Sequence, residues 1–228
     1  MTFSFHRIPV GIDNCYLLRG SQTVLIDGGA QGGFPSFKRR LRDLGVDPQE
    51  IALILLTHGH WDHITCLSDI QKLTGAKVAI HGQDQFMVET GEPPFPNGVN
   101  AWGKIMSASA RLLLNPKLPK VKVDVTLDDE GMSLQKYGIP GKVVYTPGHS
   151  MGHVSILLDS GDAFVGDMAM NDWYLRRTPG LPILADDIRM VVESWRKILP
   201  MGIKRVHPAH GGDFPVDVMR REIENFKR

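Results

Sequence analysis

Residues 51–56 form an unbroken apolar run of strand length, followed at once by Thr57, His58, Gly59, His60, Trp61, Asp62 and His63. Such a run suits a strand covered on both faces, since a half-exposed strand alternates apolar and polar positions. The neighbouring stretches fit the same picture. Residues 3–8, 14–18 and 23–26 read as short strands, the last two joined by a turn at Arg19-Gly20-Ser21-Gln22. Pro35 suits the first turn of a basic amphipathic helix that stops near Gly45, and Ile64, Leu67, Ile70, Gln71 and Leu73 make a helical stripe stopped by Gly75. Residues 76–80, 121–125, 143–145, 153–158, 163–165 and 203–206 read as further strands. A helix follows Asp186 and Asp187 and runs through Trp195, and residues 215–228 read as a polar terminal helix. Strands and helices alternate, so the expected class is α/β or a layered α+β mixture.

With 228 residues, 42% of them hydrophobic, the chain can bury a core without cross-links. Cys15 and Cys66 form no paired spacing, so disulfide-framework and zinc-finger readings fail, and Cys66 reads as a small buried apolar residue. One domain over residues 1–228 is expected. Within it, residues 86–119 stand apart. Gly91-Glu92-Pro93-Pro94-Phe95-Pro96-Asn97-Gly98 cannot be regular helix or central strand. Val99, Trp102, Ile105, Met106, Leu112 and Leu113 then recur at helical spacing up to Asn115-Pro116. The segment is either a core-packed helix behind a loop or a lid over a substrate.

Lys and Arg total 26 against 25 Asp and Glu, a net charge of +1, so charge alone gives no support to nucleic-acid binding. No apolar run approaches the ~20 residues of a membrane helix. The first residues lack the basic-then-apolar pattern of a secretory signal. The expected setting is cytoplasmic, with a small-molecule substrate, no nucleic acid and no membrane as partners, and with a homo-oligomer left open.

Nine histidines are the informative excess. Neutral imidazole and carboxylate ligate first-row divalent metals, and a tight loop can aim alternate side chains at one ion and the intervening ones at another. His58, His60, Asp62 and His63 have that spacing. His149 in Thr146-Pro147-Gly148-His149, Asp167 in Val165-Gly166-Asp167 and His210 in Val206-His207-Pro208-Ala209-His210 each follow a β-rich stretch, with Gly or Pro beside them. His6 and His81 read as structural.

Together with the early strand-Asp-Gly element Leu25-Ile26-Asp27-Gly28, these residues resemble the metallo-β-lactamase superfamily. In that family a His-x-His-x-Asp-His loop is followed by a His, an Asp and a final His. The resemblance extends over roughly residues 10–212. It implies a four-layer αβ/βα sandwich with a two-metal site along one edge. His58, His60 and His149 would hold one ion and Asp62, His63 and His210 the other. Asp167 would bridge them, and Asp27 would orient ligands from behind. The family pattern selects His149 and His210 over their neighbours His153 and His207. Two divalent ions are implied, zinc first, with iron or manganese as alternatives.

Such a pair lowers the pKa of a shared water and polarises a substrate carbonyl, so hydrolysis by a metal-bound hydroxide is expected, with Asp62 steering or moving a proton. Neither a Gly-x-Ser-x-Gly elbow nor a cysteine nucleophile signature supports a covalent acyl-enzyme. The Thr57–His63 wording looks most like thioesterases of the glyoxalase II type, and lactonases share the metal motifs. A small ester, thioester or lactone is the expected substrate. Tyr174, Arg176, Arg177 and Trp102 are candidate substrate residues, the arginines as a carboxylate clamp. Trp102, Met106 and Phe95 could wall an acyl pocket. Two alternatives keep the same side chains: a persulfide dioxygenase-like enzyme using one iron held by two histidines and an aspartate, and a non-catalytic metal-binding sensor module.

Overall fold

The computed structural model describes residues 3–113 and 118–226. In chain order the first sheet contains β1 (Ser4–Val10), β2 (Asp13–Arg19), β3 (Thr23–Ile26), β4 (Ile51–Leu55), β5 (Lys77–His81) and β6 (Val125–Leu127), neighbours in that sequence. The second contains β7 (Met132–Ser133), β8 (Gly141–Tyr145), β9 (Val154–Leu158), β10 (Asp162–Gly166), β11 (Arg205–Pro208) and β12 (Phe214–Pro215), again in chain order. β1 to β3 pair antiparallel and β3 to β6 parallel. In the second sheet only the β10–β11 pair is parallel. The helices are α1 (Phe34–Asp43), α2 (Trp61–Ile64), α3 (Leu67–Thr74), α4 (Gln85–Thr90), α5 (Ala101–Leu113), α6 (Ile188–Ile198) and α7 (Asp217–Asn225).

The apolar run at residues 51–56 is covered on both faces, as a run without polar positions requires. Leu53 and Leu55 point between the sheets, where they meet Ile26, Val154, Ile156 and Phe164. Ile54 and Leu56 point outward, onto Phe37 and Leu41 of α1 and Leu67 and Ile70 of α3. On the far side, Val191, Val192, Trp195 and Ile198 of α6 and Met219 of α7 cover Val165 and Val206. Helices, sheet, sheet, helices: this is the four-layer αβ/βα sandwich.

Three of the differences from the sequence reading have a visible cause. The strand expected at residues 121–125 begins only at Val125. Val121 N–H is tied to Val88 O at 3.1 Å, and Val121 and Val123 pack into the outer core before the chain reaches β5. The helical stripe at 64–73 is two helices, because Cys66 leaves helical geometry (φ −91, ψ 0) and gives its N–H to Gly29 O. The strand expected at 203–206 is shifted to Arg205–Pro208, since Lys204 and Arg205 N–H both bond Gly161 O and hold the chain in a turn. The expected helix stop at Asn115-Pro116 and the last two residues of the terminal helix lie outside the described residues. No helix among the described residues is long and apolar enough to cross a membrane.

Candidate metal centre

The loops leaving the carboxyl ends of β3, β4, β8, β10 and β11 carry Asp27, residues 57–63, His149, Asp167 and His210 to one edge of the sandwich. Asp27 locks the first two together. Its backbone sits at positive φ (64°), and its carboxylate accepts Thr57 N–H at 2.8 Å and Thr57 Oγ1 at 3.0 Å. Its second oxygen lies 3.1 Å from His63 Nδ1, which turns His63 Nε2 inward. Close approach is also enforced at Gly166 (φ 49°), where a Cβ would sit 2.6 Å from Thr57 Oγ1. That glycine lets β10 deliver Asp167 against the histidine loop.

Two sets of side chains converge. One ligand atom each from His58, His60 and His149 lie within 4.8 Å of one another. His60 Nδ1 is 2.9 Å from His149 Nε2. His149 Nδ1–H donates to Leu184 O at 3.0 Å, which leaves Nε2 as the lone-pair nitrogen of the neutral ring. The second set is Asp62, His63 and His210, joined by Asp13 within the same distance limit. Asp167 stands between the sets: Oδ1 is 3.3 Å from His63 Nε2, and Oδ2 is 3.5 Å from His149 Nε2 and 3.4 Å from His210 Nε2. His210 Nε2 is also 3.4 Å from Asp62 Oδ2.

The two sets differ electrostatically. Burial pushes His60 down to about 4 and His149 to about 3, and it holds His58 well below the usual range with the other imidazoles adding. Burial opposes charge on His63 and His210 too, but Asp167, with Asp27 and Asp13 behind His63 and Asp13 behind His210, outweighs it and raises both well above 6.5. Asp167 is held well below the carboxylate range: burial works against this, and His210 and His63 overcome it.

The family model for the metallo-beta-lactamase superfamily matches residues 8–210. The chain belongs to the metallo-beta-lactamase superfamily. The metallo-beta-lactamase fold-containing protein ST1585 of Sulfurisphaera tokodaii is 27% identical to it, covering 97% of this chain and 83% of that protein. The probable metallo-hydrolase YflN of Bacillus subtilis is 25% identical over 72% of this chain and 63% of its own length. A crystal structure of TTHA1623 in a di-iron-bound form superposes with a TM-score of 0.68 at 26% identity, covering 95% of this chain and 97% of that one.

In this member of the superfamily a cavity of about 220 Å³ opens against His60, Asp62, His149, Asp167 and His210. Phe95, Met106 and Tyr174, candidates from the sequence, line it. The other candidates do not face it among the described residues. Trp102 lies outside, its Nε1–H donating to Tyr174 O at 3.0 Å. Arg176 Nη1 donates to Asn171 Oδ1 at 2.8 Å, and Arg177 stacks on Phe226. Both guanidiniums, expected as a carboxylate clamp, are engaged outside the cavity, one by hydrogen bonding and one by stacking. Cys66 is buried in the outer core, its Sγ–H donating to Ala30 O. His207 pairs with Asp162 at 2.8 Å, His81 pairs with Asp129 at 3.1 Å, and His153 is buried against His58.

Two acids escaped the sequence reading. Asp13, at the start of β2 and 1% exposed, lies 3.3 Å from His210 Nδ1 on the side away from the cavity. Asp84, fully buried, accepts Ser150 Oγ–H at 2.6 Å, Gly152 N–H at 2.9 Å and Gly59 N–H at 3.1 Å, fastening the His58–His60 loop to the His149 loop. Neither sits in a motif. A lone acid at the start of the Asp13-Asn14-Cys15-Tyr16 strand carries no spacing signal, although Asn14 and Tyr16 beside it also hold the His210 loop, by hydrogen bonds to Gly211 O and Pro208 O.

Proposed function

We propose that this chain is a dinuclear metal-dependent hydrolase of a small ester, thioester or lactone. The observation that carries the reading is the position of Asp167, within 3.5 Å of His63, His149 and His210, so that one carboxylate faces both ligand sets. The donor set fits divalent cations. His58 Nε2 is buried without a hydrogen-bond partner, and His63 Nε2 and Asp167 Oδ1 have only each other, 3.3 Å apart and outside hydrogen-bond geometry, a costly state that coordination would relieve. His58, His60 and His149 would hold one ion and Asp62, His63 and His210 the second, with Asp167 shared. When bound, two such ions supply an ionised water near neutral pH and polarise the substrate carbonyl.

The protein's own residues supply the rest. Hydrolysis joins a water oxygen to the acyl carbon and breaks that carbon's bond to sulfur or oxygen, the water's proton passing to the leaving group. Asp62 faces the cavity and can carry that proton on its carboxylate. Asp27 and Asp13 fix the rings of His63 and His210 from behind, and Leu184 O fixes that of His149. The apolar wall of the cavity excludes bulk water, which strengthens every charge interaction inside it.

The test is metal content followed by turnover. Protein loaded in turn with zinc, iron and manganese is expected to bind two ions per chain and to hydrolyse members of an ester, thioester and lactone panel. Asp167→Ala should lose metal and activity while keeping its circular dichroism. Two tightly held ions in that variant would contradict the bridging role. No turnover of the panel by the two-ion form would sink the hydrolase reading, and one iron with oxygen uptake on glutathione persulfide would replace it.

A further inference from the structure

We propose that the cavity beside the metal ligands is an acyl site for an uncharged aliphatic chain, whose length is set by Phe95, Met106 and Ala110. The inference rests on the hydrolase reading and narrows its substrate class. Outside the ligand set, the described lining is apolar apart from the Ser107 and Tyr174 hydroxyls and the indole N–H of Trp61. Ser107 Oγ–H is spent on Pro96 O at 2.7 Å. No lysine or arginine lines the cavity among the described residues. The arginines next in sequence to lining residues Leu175 and Ala110 are engaged elsewhere: Arg176 with Asn171, and Arg111 with Phe95 O and Asn97 Oδ1. A carboxylate carried on the acyl chain would enter an apolar wall with no cation to pair it among the described residues.

The wall facing the ligands is a roof made by the 91–100 loop and α5. It is fastened along one side, to the 183–185 segment. Val99 N–H donates to Ile183 O at 2.9 Å and Ala185 N–H to Asn97 O at 2.9 Å. A Cβ at Gly103 would sit 2.1 Å from Ile183 O, so α5 lies directly on that strand of backbone. These contacts set the height of the roof above the ligands at the Gly103 end of α5. Met106 and Ala110 face down from successive turns of α5, and Phe95 closes the side next to Trp61, with ring centroids 6.4 Å apart.

The experiment uses zinc-loaded full-length protein and thioesters of one leaving group with acetyl, butyryl, hexanoyl, octanoyl and succinyl chains. We expect kcat/KM to rise about fourfold per methylene up to a break and then stop rising. Succinyl should fall below butyryl by about a hundredfold or more, because its carboxylate is buried unpaired. Ala110→Phe should lower the octanoyl-to-acetyl ratio about tenfold, and Met106→Ala, which shortens a side chain, should move the break to longer chains. A flat length profile, a succinyl preference, or an unchanged ratio in both folded variants would overturn the acyl site. Fluorescence titration with methyl ketones of the same lengths, and with levulinate as the charged member, reads the cavity without turnover. Length-ordered ketone binding with levulinate excluded, but no hydrolysis of any thioester, would remove the hydrolase reading and leave the acyl site standing. Hydrolysis without discrimination by length or charge would do the reverse.

Discussion

Asp13 and Asp84 do at the residue scale what the seven candidate ligands cannot do for themselves. A histidine binds a cation with one ring nitrogen, and what the other nitrogen faces fixes the ring. For His210 that partner is Asp13, at 3.3 Å on the far side of the ring. Asp13→Asn is expected to lower metal affinity about 10–100-fold with the chain still folded, read by competition against a chromophoric chelator. Unchanged affinity would show that His210 is held by its backbone alone. Asp84 acts on two loops at once through three donors. Asp84→Ala strands Gly59 N–H, Gly152 N–H and Ser150 Oγ–H, each left unmade at about 1–3 kcal/mol. The expected result is a lower urea midpoint together with weaker metal binding. A stability loss with full metal affinity would mean the loops keep their places without it.

Among the elements, α6 joins the outer core to the site. Asp187 caps it, its Oδ1 accepting Arg189 N–H at 2.8 Å, and its apolar face buries Val191, Val192, Trp195 and Ile198. Trp195 is fully buried, and its Nε1–H donates to Met168 O at 3.0 Å, the residue directly after Asp167. Trp195→Phe removes that donor and some volume, at an expected cost of about 1–3 kcal/mol. Phe37→Leu in the opposite helix layer should destabilise comparably, yet only Trp195→Phe should weaken metal binding. Equal metal affinity in the two variants would disconnect α6 from the site. Legibility in the sequence divides along similar lines. The strand at β4 and the candidate ligands His58, His60, Asp62 and His63 are local in the chain, so periodicity and spacing expose them. Asp13, Asp84 and the Trp195–Met168 contact depend on which elements the sandwich brings together, and no local pattern records that. The neighbours of Arg176 and Arg177 are of the same kind: Asn171 and Phe226 meet them only in three dimensions.

For the molecule as a whole, burying so many imidazoles at one edge ties folding to pH and to metal. In the metal-free chain, His58, His60, His149 and His153 have pKa values pushed below 6.5, first by burial. The unfolded chain therefore binds more protons than the folded one as pH drops from 6.5 toward about 4, where His60 itself begins to titrate. Stability falls over that window, at up to about 1.4 kcal/mol per pH unit for each histidine. His6 is lowered as well, and Asp13, Asp84 and Asp186, raised by burial, run the other way, three groups against five. Above 6.5 the sign reverses for His63 and His210. Their folded pKa values are raised, so the stability they contribute is complete below 6.5 and is lost as pH rises through the folded values. Chelator-treated protein should thus melt highest near pH 6.5 and at lower temperatures on either side. A metal held by His63 and His210 would have to displace their protons, so its affinity and its increment in Tm should both grow with pH. Thermal melts from pH 4.5 to 8.5, with and without zinc, measure both curves. A metal-free Tm that stayed level between pH 6.5 and 5 would mean that these imidazoles are hydrated in solution, and the dry, convergent site would have to be abandoned.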